Sequence, residues 1–484
     1  MEIPKEIKLI IEKLEKAGFE AYIVGGCVRD FLRKVKPNDW DISTSAKPEE
    51  VAKIFPRNFQ DNNFGLVTVL TGSLDKTLGE IQIMPYRTES KYTDKRHPDK
   101  VFWVKTIEED LSRRDFTVNA IAFSPKSGLV DLFKGQQDLK KKVIRAVGDP
   151  NDRFSEDALR MIRAVRFSVT LGKAWKIEAK TKKAIEKNAT LLGIISKERI
   201  RDEFLKIIMS EEPAEGIELL RTLNLLKYVI PELEEGYKIS QNKHHLYDCY
   251  EHNLRSLTYG AKKGYNQYVR LAALLHDIAK PRTKQGEGQN ATFYGHEIVG
   301  AKMTVRILDS LRFSKKDVEK IAKLVRYHLF YYNAGEVTES SVRRLVRNAG
   351  PENLEELLQV RHCDRIGSGC PKAEPYKLRH LRYIIERVSQ DPISVRKLEI
   401  DGNELMEILK IKPGPQIGQV LDILLGEVLD EPTNNTGEYL AKRVAELGKL
   451  KEEELLKLAE KAEKEREKIE TKRDEMTKQK YWVT

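Results

Sequence analysis

Cysteine is scarce in this chain. Only four occur in 484 residues, Cys27, Cys249, Cys363 and Cys370, and none stands in Cys-x-x-Cys spacing. That excludes a zinc ribbon and a disulfide framework and predicts reduced thiols. Long apolar runs are missing as well. No stretch approaches the about 18 residues that a bilayer-crossing helix needs, so neither a membrane span nor a signal peptide is expected, and the expected compartment is the cytoplasm. No short-period repeat is visible.

An acidic excess is also absent. Lysine and arginine number 86 against 75 acidic residues, a net charge of +11 with a pI near 9.1. Such a surplus predicts a polyanionic partner, nucleic acid first, while the high density of both signs also suits the ion-paired surface of a heat-adapted protein. At 484 residues the chain exceeds what one core holds and should divide into three or four domains.

What is present is ordered along the chain. Residues 1–140 alternate helical and strand patterns: a helix at 4–17, strands near 20–24 and 39–43, a helix at 47–54, then strands near 65–71, 80–86 and 118–124. After Pro150 the period lengthens to 3.6, with predicted helices at 156–171, 197–209 and 213–225. Loop signals at 240–242, 285–288 and 367–371 bracket a section holding most of the histidines, which reads as a separate module. The last forty or so residues are rich in Lys and Glu with sparse leucines, a pattern that suits a solvated helix or a partly disordered tail.

The most informative residues are Gly25-Gly26-Cys27-Val28-Arg29-Asp30, followed by Asp39-Trp40-Asp41. The glycines sit where a predicted strand turns into a helix, so backbone N–H groups can approach an anion with no Cβ in the way, and the helix N-terminus adds positive partial charge. Asp39 and Asp41, two apart on a predicted strand, should share one face and hold one or two Mg2+ ions. Separately, each pattern is commonplace; in this order, ten residues apart, they predict a site for nucleotidyl transfer.

Further along stands Asp110-Leu111-Ser112-Arg113-Arg114-Asp115-Phe116-Thr117-Val118-Asn119-Ala120. Arg113 and Arg114 offer forked donors suited to phosphate, and Asp115 and Asn119 can bond ribose hydroxyls; a surface ion-pair cluster is the other reading of these residues. On Glu156-Asp157-Ala158-Leu159-Arg160, the i, i+3 spacing puts Asp157 and Arg160 on one helix face, where they can form an intrahelical salt bridge or meet the Watson–Crick edge of a base.

With these blocks the chain resembles the class II tRNA nucleotidyltransferase and poly(A) polymerase family, most closely the bacterial CCA-adding enzymes. The resemblance implies that Asp157 and Arg160 act as a protein template for C or A, that Lys197 to Glu203 supports the template helix, and that tRNA, CTP and ATP are the partners. It also implies that the segment from Arg87 to Val101 is the loop carried by CCA- and A-adding members. One departure stands out: Gln82 occupies a position where relatives often have glutamate, and Glu80, two residues earlier on the same face, is the alternative third carboxylate.

His252, His276-Asp277, His296, His328 and Asp364 follow the order of an HD-superfamily phosphohydrolase site. Imidazoles and carboxylates together suit a divalent transition metal and leave positions open for water. Related bifunctional enzymes imply phosphoesters such as 2′,3′-cyclic phosphate ends as substrates. His97, His244, His245, His362 and His380 receive no metal role. The expected fold is α+β: a mixed nucleotidyltransferase head of the polymerase β type over 1–140, an all-α neck over 141–235 carrying the templating helix, an HD-type module over 236–370 and a helical tRNA-binding tail over 371–484.

The expected site comprises Asp39 and Asp41 for catalysis and Mg2+. Gly25, Gly26, Arg29, Arg113, Asp115, Asn119, Asp157 and Arg160 are expected to bind the nucleotide. His252, His276, Asp277, His296 and Asp364 are expected to hold a second divalent metal. An A-adding enzyme or poly(A) polymerase remains open, as does a metal phosphohydrolase whose head only binds RNA.

Overall fold

In the computed structural model of the protein, residues 3–61, 65–89, 101–242, 246–389, 395 and 398–483 are described. Residues 90–100 of the expected loop, together with His244 and His245, lie outside them.

The head opens with α1 (Lys5–Lys16), whose Ile7, Ile10, Ile11 and Leu14 recur at helical spacing and are all buried. The chain then alternates through β1 (Ala21–Val24), α2 (Gly26–Leu32), β2 (Asp41–Thr44), α3 (Pro48–Ile54), β3 (Asn58–Asp61), β4 (Leu66–Leu70) and β5 (Glu80–Pro85). A short hairpin, β6 (Arg87–Glu89) with β7 (Val101–Trp103), leads into α4 (Ile107–Ser112), β8 (Ala122–Ser124), β9 (Gly128–Val130) and α5 (Gly135–Lys141). Seven strands form one sheet in the order β3-β4-β5-β2-β1-β8-β9, in which only β2 and β5 run parallel.

The period-2 alternation divides this sheet. Ile23, Ile42, Ile83 and Val67 face a core shared with α1 and α3, each fully buried and each contributing roughly 2 kcal/mol of apolar transfer. Tyr22, Val24 and Ala122 point the other way, under Ile107 and Leu111 of α4. The opposite parity of Asp41 and Ile42 puts Asp41 off the isoleucine face. β3 was invisible to pattern reading because Asn-Phe-Gln-Asp is a polar edge strand with no alternation to detect.

Beyond the head come β10 (Val143–Ile144), α6 (Pro150–Glu156), α7 (Leu159–Thr170), β11 (Lys176–Ile177), α8 (Ala179–Asn188), α9 (Lys197–Ile208), α10 (Pro213–Thr222) and α11 (Pro231–Glu234). β10 and β11 pair in parallel, adding a small sheet to the otherwise helical neck. The histidine module follows: α12 (Cys249–Lys262), α13 (Gln267–Leu275), α14 (Lys280–Thr283), α15 (His296–Ser310) and α16 (Lys315–Tyr327). After α17 (Glu339–Ala349) and α18 (Leu354–Gly367) come α19 (Tyr376–Ser389), α20 (Gly402–Leu409), α21 (Pro415–Asp430), α22 (Gly437–Leu447) and α23 (Glu452–Tyr481).

The chain forms two compact units, Met1–Leu329 with Glu355–Ala373, and Phe330–Leu354 with Glu374–Thr484. Head, neck and the expected 236–370 module, apart from its residues 330–354, therefore belong to one unit. In the other, α23 is a continuous helix of 30 residues that buries Leu455, Ala459 and Ala462 and packs along α21. Its remaining surface is mostly charged, with Leu456, Leu458, Ile469 and Met476 exposed among the lysines and glutamates.

Candidate active site and metal centre

A cavity of about 720 Å³ opens between head and neck, lined by Gly25, Gly26, Arg29, Asp39 and Asp41 from one side and by Asp157 and Arg160 from the other. Arg113, Asp115 and Asn119 complete the expected set. All ten transferase residues named from the sequence thus meet in one place.

Gly25 sits before the first turn of α2 with φ +78°, a left-handed conformation that L side chains rarely adopt. A Cβ there would also stand 2.7 Å from Nη1 of Arg114. The glycine thus lets an arginine close over the turn, beside backbone N–H groups suited to phosphate.

The aspartates correct one expectation. Strand β2 begins at Asp41, and Asp39 lies in the connection before it, so the two do not share a strand face. They are nonetheless neighbours electrostatically: burial first, and then the Asp39 carboxylate, push the Asp41 carboxyl up to about 6, while Arg114 pulls the other way. Two carboxylates that resist joint ionisation are a fit for a divalent cation, which offsets both charges. Gln82 pairs with Asp41 across β2 and β5, and neither it nor Glu80 lines the cavity.

With its folded value raised above the unfolded one of about 3.9, Asp41 favours the folded state fully at low pH, and that advantage is lost as pH rises through about 6. Metal-free Asp41→Asn should therefore exceed the parent by roughly 2–3 kcal/mol at pH 7.5 and match it near pH 4. Thermal unfolding in chelator at the two pH values checks this.

Behind the site, Asp110 is wholly buried and accepts from Arg113 Nε (3.1 Å) and Nη2 (2.8 Å) and from Arg114 Nη2 (3.2 Å). Asp115 accepts from the Phe116 N–H (2.8 Å) and Asn119 (3.0 Å) on one oxygen, and from Arg163 Nε (2.9 Å) and Nη2 (2.5 Å) on the other. Burial alone would raise its pKa, yet Arg163 and Asn119 hold it far below the carboxylate range. With both oxygens doubly bonded, Asp115 has no spare lone pair for a ribose hydroxyl. Asn119 Oδ1 accepts from Arg29 Nη1 at 2.7 Å, and Arg29 also grips Asp30 through Nε and Nη2.

The template pair needs a second correction. No single helix carries both residues: α6 ends at Glu156, Asp157 is extended (φ −139°, ψ 102°), and α7 starts at Leu159. The Asp157 carboxylate accepts from the Leu159 N–H at 3.0 Å, the competition with helix propagation that short polar side chains offer. Arg199 of α9 holds the same carboxylate at 3.2 and 2.7 Å. Arg160 donates to Glu156 (2.7 Å), to the Arg153 carbonyl (3.2 Å) and to the Arg113 carbonyl (3.0 Å). Those bonds orient both groups and leave one lone pair on Asp157 Oδ2 and two N–H donors on Arg160.

Sequence reasoning missed Arg163, Arg166, Arg199 and Lys206 as lining residues and named Arg114 only as a forked donor. The signal for two of them was available: Arg160, Arg163 and Arg166 repeat every three residues.

The histidine module forms its own centre. His252, His276, Asp277 and Asp364 place ligand atoms within 4.8 Å of one another, as do Asp277, His296 and His328, and Asp277 belongs to both sets. His252 Nε2 lies 3.0 Å from Asp277 Oδ2 and 3.4 Å from Asp364 Oδ1, while His296 and His328 Nε2 lie 3.3 and 3.6 Å from Asp277 Oδ1. His276, His296 and His328 each bond a carbonyl three residues back through Nδ1, at 2.9, 2.7 and 2.7 Å. That pattern sets the tautomer, with Nε2 lone pairs turned inward, and fits a cation. Burial opposes charge on His276, but Asp277 and Asp364 push its pKa up to about 10, so the centre demands a positive charge. A second cavity of about 720 Å³ opens over it, lined by Lys280, Phe293, Tyr294 and Arg365 among others.

Three family models match: the poly A polymerase head domain at residues 21–145, the probable RNA and SrmB-binding site of polymerase A at 175–236, and the HD domain at 249–368. The chain is 49% identical over 438 residues to the CCA-adding enzyme of Lactobacillus delbrueckii subsp. bulgaricus, covering 90% of this chain and 96% of that one. It is 34% identical over 447 residues to the CCA-adding enzyme of Pediococcus pentosaceus, covering 92% and 98%. Among solved structures, the Bacillus stearothermophilus CCA-adding enzyme in complex with CTP superposes with a TM-score of 0.60 at 28% identity, over 92% of this chain and 98% of that one. The Thermotoga maritima CCA-adding enzyme complexed with tRNA shares the fold at a TM-score of 0.54 and 22% identity, over 92% and 96%.

Proposed function

The chain belongs to the CCA-adding enzyme family, and from that premise we propose how its own residues add C and A to the tRNA 3′ end without a nucleic-acid template. The convergence of Asp39 and Asp41, the Gly25 turn and the Asp157/Arg160 pair in one cavity carries this reading. Mg2+ held by Asp39 and Asp41 supplies a lowered pKa for the attacking 3′-hydroxyl and offsets triphosphate charge. The hydroxyl attacks the α-phosphate of the bound nucleotide and pyrophosphate leaves.

The turn at Gly25 and Gly26 binds phosphate through backbone N–H groups, supported by Arg29, Arg113 and Arg114. Base choice follows from what the neck leaves unused: one acceptor on Asp157 and donors on Arg160. Cytosine and adenine both present an amino donor beside a ring-nitrogen acceptor and match that pair, whereas uracil and guanine present the reverse. Asn119, tied to Arg29, is better placed than the saturated Asp115 to meet a ribose hydroxyl. We assign the head to 1–140, the neck to 141–235, the HD module to 236–370 and the tail to 371–484. The net positive charge supports contact of the helical body and tail with the tRNA backbone, in the cytoplasm.

Offered tRNA lacking its 3′ CCA, the protein should incorporate labelled CTP, then ATP, and reject UTP and GTP; tRNA ending in CC should accept ATP alone. Failure to incorporate either nucleotide would sink the assignment, and ATP addition without CTP addition would reduce it to an A-adding enzyme.

A second activity is favoured by the two ligand sets around Asp277. His252, His276, Asp277 and Asp364 would hold one divalent metal, with His296 and His328 on the other side of Asp277. Such a cation supplies Lewis-acid polarisation of a phosphoester and a water nucleophile. Lys280, whose Nζ lies 2.6 Å from Asp277 and which lines the cavity, adds positive charge where a phosphate would enter.

A further inference from the structure

Tyr294 lines the cavity over the histidine centre, yet its side chain is left in solvent, 80% exposed. Among the described residues its hydroxyl makes no hydrogen bond and its ring meets no cation or other ring. The backbone on either side is fixed. Thr292 and Gln285 exchange two N–H···O bonds of 2.9 Å, and the His296 N–H donates to the Phe293 carbonyl at 3.2 Å. Gly295, with φ 73° and ψ 10°, has the conformation that the third residue of a type II turn requires. That turn accounts for the glycine but makes no demand for an aromatic residue before it. The Phe293 carbonyl also bonds His296 Nδ1 at 2.7 Å, so the turn that presents Tyr294 is the one that orients a metal-ligand candidate two residues away.

The wall around Asp277 is cationic and mostly committed. Lys280 is held by Asp277 and Gln241, both at 2.6 Å, and Arg361 is held by Asp364. Arg365, one turn beyond Arg361 on α18, lines the cavity as well; its Nε donates to the Lys372 carbonyl at 3.3 Å, and among the described residues no carboxylate pairs with it. Tyr294 and Leu329 add exposed apolar surface to the same cavity. A phosphate group alone needs only the cationic wall. At about 720 Å³ the cavity has room for a whole nucleotide.

We infer that Tyr294 is a stacking platform for a nucleobase, so that the phosphoester acted on at the histidine centre is that of a nucleoside, with Arg365 meeting its phosphate. Unpaired bases stack on exposed aromatic rings whatever their identity, because every base has a π-face. The guanidinium of Arg365 suits a phosphate oxygen. Hydrolysis there adds the hydroxyl of water to phosphorus and leaves the proton on the sugar oxygen of the broken P–O bond. The inference rests on the reading of the histidine module as a phosphohydrolase.

The test uses 2-aminopurine riboside 3′-phosphate, whose fluorescence stacking quenches, and ribose 3-phosphate, which lacks the base, with a non-hydrolysable CTP analogue filling the transferase cavity throughout. In chelator, the metal-free parent should quench the probe. Tyr294→Ala should bind it about tenfold more weakly and without quenching, while Tyr294→Phe, which keeps the ring, should match the parent. Loaded with Mn2+, Tyr294→Ala should raise KM for the nucleoside phosphate about tenfold and leave that for ribose 3-phosphate unchanged, whereas Arg365→Met should raise both. A tRNA bearing a 3′-phosphate separates the two sources of such a ligand: a lower KM than the mononucleotide's identifies an RNA end, the reverse a free nucleotide, and either retains the platform. Equal effects of Tyr294→Ala on the two small ligands, no effect on either, or a loss in Tyr294→Phe as large as in Tyr294→Ala would overturn it. Absence of hydrolysis by the Mn2+-loaded parent would instead fail the phosphohydrolase reading, on which quenching in the metal-free protein does not depend. Nucleotide addition to tRNA, assayed without the analogue, should be unchanged in all three variants and reports that each is folded.

Discussion

Asp39→Ala is expected to abolish nucleotide addition, by at least roughly a thousandfold, while leaving the fold and the HD centre untouched. The cause is electrostatic. Asp41 is driven up to about 6 by burial and by Asp39, so above that pH the pair is held in a charged state that a bound cation relieves. Gln82 stands beside Asp41 on β5 where a third carboxylate could have stood, and a neutral amide cannot take over the charge of a missing aspartate. The same change leaves metal content at the histidine module intact, because the two centres share no residue. Incorporation of labelled CMP and elemental analysis of the purified protein check both halves. Residual addition above a tenth of the parent rate would contradict the metal role of Asp39.

The second large effect is at Asp277. Asp277→Asn is expected to weaken divalent-metal retention at the HD centre by at least about a hundredfold, since even loss of an outer-shell partner costs ten- to a hundredfold and Asp277 belongs to both ligand sets. The asparagine keeps the shape of the side chain and spares the buried Lys280 a cavity, though not its charge partner. His328→Ala, which touches only one set, should lose less metal. Metal content after dialysis reads both, and tRNA 3′-end addition should continue in each variant. Full metal retention by Asp277→Asn would show that the histidine module holds its ion elsewhere, or none.

The parts of this protein that were legible are those whose chemistry is local. Gly25 before a helix start, forked arginines at 113 and 114, and the ordered His and Asp positions each declare themselves by residue type and spacing. What was misread was conformation. Asp39 seemed to share a strand with Asp41, but alternation says nothing about where a strand begins, and Asp39 falls just before it. The run from Glu156 to Leu171 looked like one helix, yet the Asp157 carboxylate caps the Leu159 N–H and Arg199 anchors it from α9, so the helix breaks at the residue proposed to read the base. Asp115 looked like a ribose reader because its partner Arg163 lies 48 residues away, beyond any local pattern.

By itself, the sequence determined the reaction class, the nucleotide and RNA partners through family resemblance, and ten of the residues that line the transferase cavity, because glycine turns, carboxylates, guanidiniums and imidazoles carry their chemistry wherever the chain puts them. Only the tertiary structure decided which of those groups remain available. Hydrogen-bond capacity is finite, so the long-range pairs Asp115 with Arg163, Asp157 with Arg199 and Arg29 with Asn119 determine what each can still offer a ligand.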